Sequence, residues 1–376
     1  MKKVIIIGGG FAGLASLFRL SRYKKRFDLA ITLISDREQV NFLPMLPDCL
    51  GRSVKTKHLL FNLADLSAKK YFNLLKSRVI AVDLKKKEVV TSGQSLNYDF
   101  LIISSGTETN FYGNNMAREH SFKLDSVEDA AFLFEALEKN SYAAYLIAGG
   151  GYTGIEVATN LRVYLEKRKI GRKIVIIERA PAILGPLPQW LKNCVEDNLK
   201  RLDIEVIVNS TIEKIETEST SLADGRTFNH AMLIWAAGVR TADFIQNLEV
   251  EKNPQGRIKV DEYLRVNDAC FAAGDTAYFL YKHNFLRMAV QFAIAQGACS
   301  AKNIIRSLAG KRLIEYKAAD LGLIVPMANN HGCGRILGMK MRGFLPVFFH
   351  YFMCIYRSYG FKNKIGIIKD LVTGNA

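Results

Sequence analysis

Short, uninterrupted apolar runs recur along the chain at the spacing of a layered α/β protein. Residues 4–7 (Val-Ile-Ile-Ile) are β-branched throughout, as in a strand covered on both faces. Comparable runs stand at 29–34, 145–148, 174–177, 204–208 and 232–236, with a weaker one at 211–215. Helical spacing follows two of them, through Leu14, Leu17 and Phe18 and through Ile155, Val157 and Ala158. Residues 79–84 and 88–91, parted by Lys85-Lys86-Lys87, predict a hairpin with a solvated turn. Residues 57–76 are mixed, helical or irregular. Residues 98–103 predict a strand that ends in Ser104-Ser105-Gly106, small enough for close backbone approach to a ligand. Residues 288–308 have helical spacing. Ala289, Ala293, Gly297 and Ala301 there form one small-residue face, suited to something flat or to a sheet, with Gln291 and Gln296 among them.

Two of the runs end in the same device. Gly8-Gly9-Gly10-Phe11-Ala12-Gly13 follows the first strand, and Gly149-Gly150-Gly151-Tyr152-Thr153-Gly154 repeats the spacing 141 residues later. In G-x-G-x-x-G the first glycine permits the turn and the second admits a pyrophosphate. The third lets the helix close on the strand. Free N–H groups at the helix start then hold the phosphates. A second apolar strand begins a little over twenty residues after each copy, as a βαβ unit needs. In the second copy this strand ends at Glu178, placed for a ribose diol and repelling a 2′-phosphate. In the first copy Ser35 stands at the strand end, with Asp36 and Arg37 following. Asp36 is the expected ribose acid. Two such units predict a protein that holds two dinucleotides.

Composition narrows the class. The chain has 376 residues, room for two domains and a tail, and 49% hydrophobic residues, as globular proteins do. The formal charge of +16 calls for an anionic partner: lipid, cofactor phosphates or nucleic acid. Nucleic acid is the weakest of these, since no zinc-finger or aromatic RNA-binding pattern is present. The six cysteines are scattered without a C-x-x-C, which indicates neither a metal site nor a dithiol centre and fits reduced thiols in a cytosolic setting. No segment reaches membrane-spanning length. Residues 344–356 are mostly apolar and aromatic, flanked by Lys340, Arg342, Arg357, Lys362, Lys364 and Lys369. Thirteen residues make about 20 Å of helix, short of a bilayer core, so the pattern predicts an interfacial helix on anionic headgroups. His350 reads as an interfacial polar residue.

Further residues add to the pattern. Asn41-Phe42-Leu43-Pro44 is an apolar, proline-marked loop fit to cover an isoalloxazine ring. Trp235-Ala236-Ala237-Gly238 closes a strand, and Gly274-Asp275 ends another with an amide and a carboxylate for a polar ligand. Together with both glycine loops, Gly106, Thr109-to-Gly113 and Gln291-to-Gly297, the chain resembles the type II NADH:quinone oxidoreductases among the two-dinucleotide-binding flavoproteins. The resemblance runs from residue 4 to about residue 300.

It implies FAD held by Gly8, Gly10, Phe11, Ala12, Gly13, Asp36, Arg37, Pro44, Gly106 and Asp275. NADH would be held by Gly149, Gly151, Gly154, Glu178 and Gly238. The implied reaction is hydride transfer to flavin N5, then two electrons to quinone, without proton pumping. Glu156 is read either as complementing a helix N-terminus or as handling nucleotide or quinone, and the resemblance favours the second. Gln291 and Gln296 would border the quinone, with Ala295 where the family tends to have glutamine. The implied fold is two Rossmann-like domains, one inserted in the other: FAD domain 1–110 and 251–335, NADH domain 111–250, and a membrane-associating segment 336–376. The implied setting is peripheral, on the cytoplasmic face of the cell membrane, with a homodimer left open. The alternatives are a sulfide:quinone oxidoreductase or related pyridine nucleotide–flavin reductase, and a membrane-bound flavin redox sensor. The first is disfavoured because no cysteine lies between Cys49 and Cys194.

Overall fold

The structure is a computed structural model that describes residues 1–68, 71–282 and 284–374. Along the chain, β1 (Lys2–Ile7), α1 (Phe11–Ser21) and β2 (Leu29–Ser35) open the fold, followed by the single helical turn α2 (Asp48–Gly51). After β3 (Asn73–Lys76) come a three-stranded antiparallel meander and β4 (Phe100–Ile103). The repeat follows as β5 (Ala144–Ala148), α3 (Tyr152–Lys167), β6 (Lys173–Ile177), α4 (Gln189–Arg201), β7 (Ile204–Ile207) and β8 (Ala231–Trp235). The chain then runs through β9 (Cys270–Ala272) and α5 (Val290–Leu308) to the meander β10 (Gly322–Met327), β11 (His331–Ile336) and β12 (Met339–Gly343). Two helices, α6 (Phe344–Arg357) and α7 (Phe361–Thr373), end it.

The chain falls into two compact units. The first comprises Met1–Val40, Asn62–Glu108 and Val239–Asp320. Its parallel sheet has the order β9-β4-β1-β2-β3. The last four residues of β1 are buried, which is why this run carries no alternation. β3 is a four-residue edge strand in a stretch too short and mixed to declare itself. Helix α5 lies chiefly on α1. A Cβ on Gly297 would meet Ala12 O at 2.1 Å, and Ser16 Oγ donates to Ala12 O and Gly297 O at 2.8 and 2.9 Å. The small-residue face is therefore a helix–helix contact.

The second unit comprises Asn41–Phe61, Thr109–Gly238 and Leu321–Ala376. Its parallel sheet has the order β7-β6-β5-β8, and β5 is buried along its whole length. This corrects the expected division in two places. Residues 41–61 and everything after residue 320 belong with the second nucleotide unit, not with the first or with a separate tail. The reason is packing: Val325, Met327 and Cys333 of the C-terminal meander share a core with Ile147, Ile155 and Leu191. Pro44 accordingly sits in the second unit.

Each C-terminal helix has two faces. Val347, Tyr351 and Cys354 of α6 and Ile367 and Asp370 of α7 point inward. Phe344, Phe348 and Phe352 of α6, and Phe361, Ile365, Ile368 and Val372 of α7, are exposed. No helix among the described residues is long and apolar enough to cross a membrane.

Candidate functional site

The two glycine loops are built alike, down to single hydrogen bonds. Gly8 N donates to Ile34 O and Gly149 N to Ile177 O, both at 2.8 Å. Both glycines have a positive φ, +101° and +106°, as the turn out of the strand demands. Helices α1 and α3 then start at Gly10 and Gly151, where no side chain caps the helix and no acid occupies the first turn. Nothing lies within 4 Å of a Cβ built on either glycine, so this side is open where a phosphate would approach. The loops fit the groups they were expected to hold.

They differ at the next strand end. Both oxygens of Glu178 accept backbone N–H groups, from Gly150 and Ala180, each at 2.8 Å. The carboxylate thus stiffens the loop and keeps lone pairs for a ribose. Its counterpart in the first unit is Ser35, whose Oγ accepts from Arg37 N at 3.2 Å. Asp36 and Arg37 are exposed, one and two residues past the strand end.

Around Gly274-Asp275 a buried arginine does work that sequence reasoning missed. Arg257 donates from Nε to Asp275 O at 2.9 Å and from Nη2 to Ala277 O at 2.6 Å. Burial raises the Asp275 carboxyl, and the Arg257 charge opposes that rise. Thr276 Oγ1 accepts from Gly106 N at 2.9 Å, tying two turns of this unit together. Gln296 is buried, and its Oε1 accepts from Gly274 N at 2.8 Å, so its carboxamide braces the Gly274 turn. Gln291, at the start of α5, is half-buried and donates to Asp320 Oδ1 at 3.2 Å. Gly238, φ +98°, closes β8 against the Tyr112 hydroxyl.

The second unit also holds two interacting acids, Asp48 buried and Glu156 half-buried. Glu156 lies beyond the first turn of α3, so the helix-end account of this residue does not apply. Burial, and then the charge of Asp48, holds its carboxyl well above the usual range. Asp48 is itself pushed up to about 6, chiefly by burial, against the lowering effects of Tyr351, Arg52 and Asn160. Tyr351 OH donates to Asp48 Oδ1 at 2.6 Å, Arg52 Nε stands 3.7 Å from the same oxygen, and Arg52 Cζ lies 4.7 Å from the Tyr351 ring centre. Asn160 donates to Glu156 O at 2.9 Å, linking the two acids through one turn of α3. The Asn160 side chain also bonds the Asp48 carboxyl, which favours its charged form. His350 of α6 is half-buried: desolvation and the charges of Arg52 and Arg357 push it down to about 4, beside Cys354 Sγ at 3.5 Å.

With this geometry in hand, the comparisons are specific. The profile of the pyridine nucleotide-disulphide oxidoreductase family matches residues 2–297. The chain belongs to that family. A type II NADH:quinone oxidoreductase of Staphylococcus aureus is 25% identical over 370 residues, covering 91% of each chain. An NDH2 structure from Plasmodium falciparum in complex with NADH superposes with a TM-score of 0.86 at 19% identity, covering 100% of this chain and 98% of that one. The sulfide:quinone oxidoreductase of Aquifex aeolicus superposes at 0.79 with 19% identity, covering 97% and 92%. In this chain a disulfide joins Cys194 to Cys333, 139 residues apart and remote from either glycine loop in sequence. The expectation of scattered, unpaired thiols is corrected for these two. Only the fold brings them together.

The Asp48 shift gives a measurable signature. Its folded pKa lies above the unfolded value, so between about pH 4 and 6 the native protein binds more protons than the unfolded chain. Stability therefore falls as pH rises through that window, by about 2–3 kcal/mol from this group. Asp48→Asn should flatten that slope, measured by urea unfolding at pH 4.5 and 7.

Proposed function

We propose that this protein is an FAD-dependent NADH:quinone oxidoreductase that works at a membrane surface without pumping protons. The observation that carries the reading is the pair of phosphate loops in one chain, each opening a helix without a side-chain cap. The first unit would hold FAD through Gly8, Gly10, Gly13 and the turn of Gly274-Asp275, with Arg257, Thr276 and Gln296 keeping that turn in place. The second would hold NADH through Gly149, Gly151 and Gly154, with Glu178 accepting from the ribose. FAD, when bound, supplies a two-electron carrier between nicotinamide and quinone. The likeness to a type II NADH:quinone oxidoreductase along nearly the whole chain supports the same activity.

Quinone reduction to quinol consumes protons as well as electrons. Burial and the charge of Asp48 both disfavour the Glu156 anion and raise its carboxyl well above the usual range. We assign it the holding of a proton for the acceptor, with Asp48 and Tyr351 setting its charge state. Glu178 discriminates between nucleotides, since a carboxylate fixed by two backbone N–H groups repels a 2′-phosphate.

The exposed faces of α6 and α7 are assigned to lipid. Aromatic and aliphatic side chains repeat at i, i+4 spacing on both helices, with Lys340, Arg342, Arg357, Lys362, Lys364 and Lys369 along the same segment. Such a surface binds headgroups through its cations and the acyl boundary through its apolar stripe.

Anaerobic stopped-flow tests the activity: NADH should bleach the flavin and a short-chain quinone should restore it, with sulfide inert. Bleaching by sulfide and not by NADH would overturn the reading. Glu178→Arg should raise KM for NADH at least about tenfold, equivalent to about 1.4 kcal/mol, and lower that for NADPH. Phe348→Asp with Phe352→Asp should keep the flavin bound yet abolish flotation with anionic vesicles.

A further inference from the structure

Away from both nucleotide loops, helix α4 meets the C-terminal meander through three side chains that share one chemistry. Cys194 stands on α4, and His331 and Cys333 stand two residues apart on β11. Residues i and i+2 of a strand share a face. The residue between them shows which face this is. A Cβ on Gly332 would lie 2.9 Å from Val347 Cγ2, so Gly332 packs on α6 and its two neighbours point the other way, toward α4. There the Sγ atoms of Cys194 and Cys333 and a ring nitrogen of His331 all lie within 4.8 Å of one another. Cys333 is fully buried, while Cys194 and His331 are half-buried, which leaves a route in from solvent.

The cysteines are joined here as a disulfide, with Cα atoms 6.3 Å apart. A disulfide alone gives no reason for an imidazole at the same point. Two sulfurs and one imidazole nitrogen are the donor set of a borderline-soft cation. Donors bound to one zinc ion stand about 3.3–3.8 Å apart, a spacing inside the span of this cluster once the sulfurs part. Charge agrees with that assignment. Arg201 of α4 and Arg342 of β12, the latter paired in register with Cys333, bring positive charge to His331. That environment suits a centre that adds no net charge, as one dication with two thiolates does.

We propose that Cys194, His331 and Cys333 form a redox-gated soft-cation site, which binds a zinc-class ion when the thiols are reduced and closes as a disulfide when they are oxidised. In the closing step the two thiolates give up two electrons to a peroxide and an S–S bond forms. The O–O bond breaks, two protons complete two water molecules, and the cation leaves. The fourth coordination position of the open site falls to water, as in three-ligand zinc sites.

The test uses the full-length flavoprotein. It is reduced with a phosphine, freed of reductant and titrated anaerobically with Co2+. One equivalent should bind with a thiolate-to-cobalt charge-transfer band, Zn2+ should displace it, and peroxide should release it with the loss of two titratable thiols. Cys194→Ser should lose the band. His331→Gln, which keeps both thiols and leaves the buried Cys333 untouched, should weaken binding with thermal unfolding unchanged. The proposal fails if the reduced, folded protein takes up no Co2+, if Cys194→Ser binds it as the parent does, or if the native disulfide resists the phosphine. None of these outcomes bears on NADH oxidation, so this inference and the assigned activity stand or fall separately.

Discussion

The absence of one methylene group fixes the geometry of both nucleotide units. A Cβ on Gly13 would lie 1.9 Å from Gly8 O, and one on Gly154 would lie 2.0 Å from Gly149 O. No side chain fits there, so each helix closes directly over the end of its first strand. The first-turn amides then project past the sheet, at the point where a dinucleotide crosses a parallel α/β sheet. The same tolerance of close approach recurs where α5 crosses α1 at Gly297 and Ala12. In the first unit it carries the contact on to Gln296, which holds Gly274 and with it the Asp275 turn. Close backbone approaches permitted by glycine, completed by the Gln296 carboxamide, thus connect the first glycine loop to the Gly274 turn.

Those contacts explain what the sequence could and could not reveal. The loops, the parallel strands and the long helix α5 are local in origin, since each is written in one continuous stretch by β-branched runs and glycine spacing. Contacts between distant stretches leave no such trace. Arg257 looks like one cation in Gly-Arg-Ile-Lys, and only the fold shows it buried with two backbone carbonyls. Cys194 and Cys333 are separated by most of the C-terminal half. The bond from Gly274 N to Gln296 is hidden for a related reason, since it joins two stretches far apart in the sequence. The short strand β3 and the C-terminal meander lack the length or alternation that would set them apart. Their place is decided by the core that Val325, Met327 and Cys333 enter.

The acidic pair shows how burial turns a common residue type into a chemical group. An exposed glutamate on α3 would be ionised at any physiological pH. At Glu156, partial burial and the nearby charge of Asp48 both raise the carboxyl and favour its protonated form. Asp48 in turn is a compromise. Desolvation pushes its proton on, while the Tyr351 hydroxyl and the Arg52 guanidinium push it off, and the balance falls at about 6. A group so poised changes charge near pH 6 under small perturbations of its surroundings.

Tyr351 gives the C-terminal segment a second part to play. The segment's inner face is fastened by polar contacts that no membrane anchor needs: Tyr351 to Asp48 at 2.6 Å in α6, and Asp370 to His58 Nδ1 at 2.6 Å in α7, where Asp370 also accepts from Lys55 N at 2.9 Å. Removing the chain after residue 339 would strip these groups from the core and leave Asp48 without its hydroxyl donor. Loss of membrane binding in such a truncation would then be indistinguishable from loss of the fold. Attachment, as assigned here, resides in the outer faces alone. The helices that carry those faces also supply a hydrogen bond that sets the Asp48 proton, and through Asp48 the charge of Glu156. In this arrangement the surface assigned to lipid and the group assigned to the quinone's proton are joined by a single buried tyrosine.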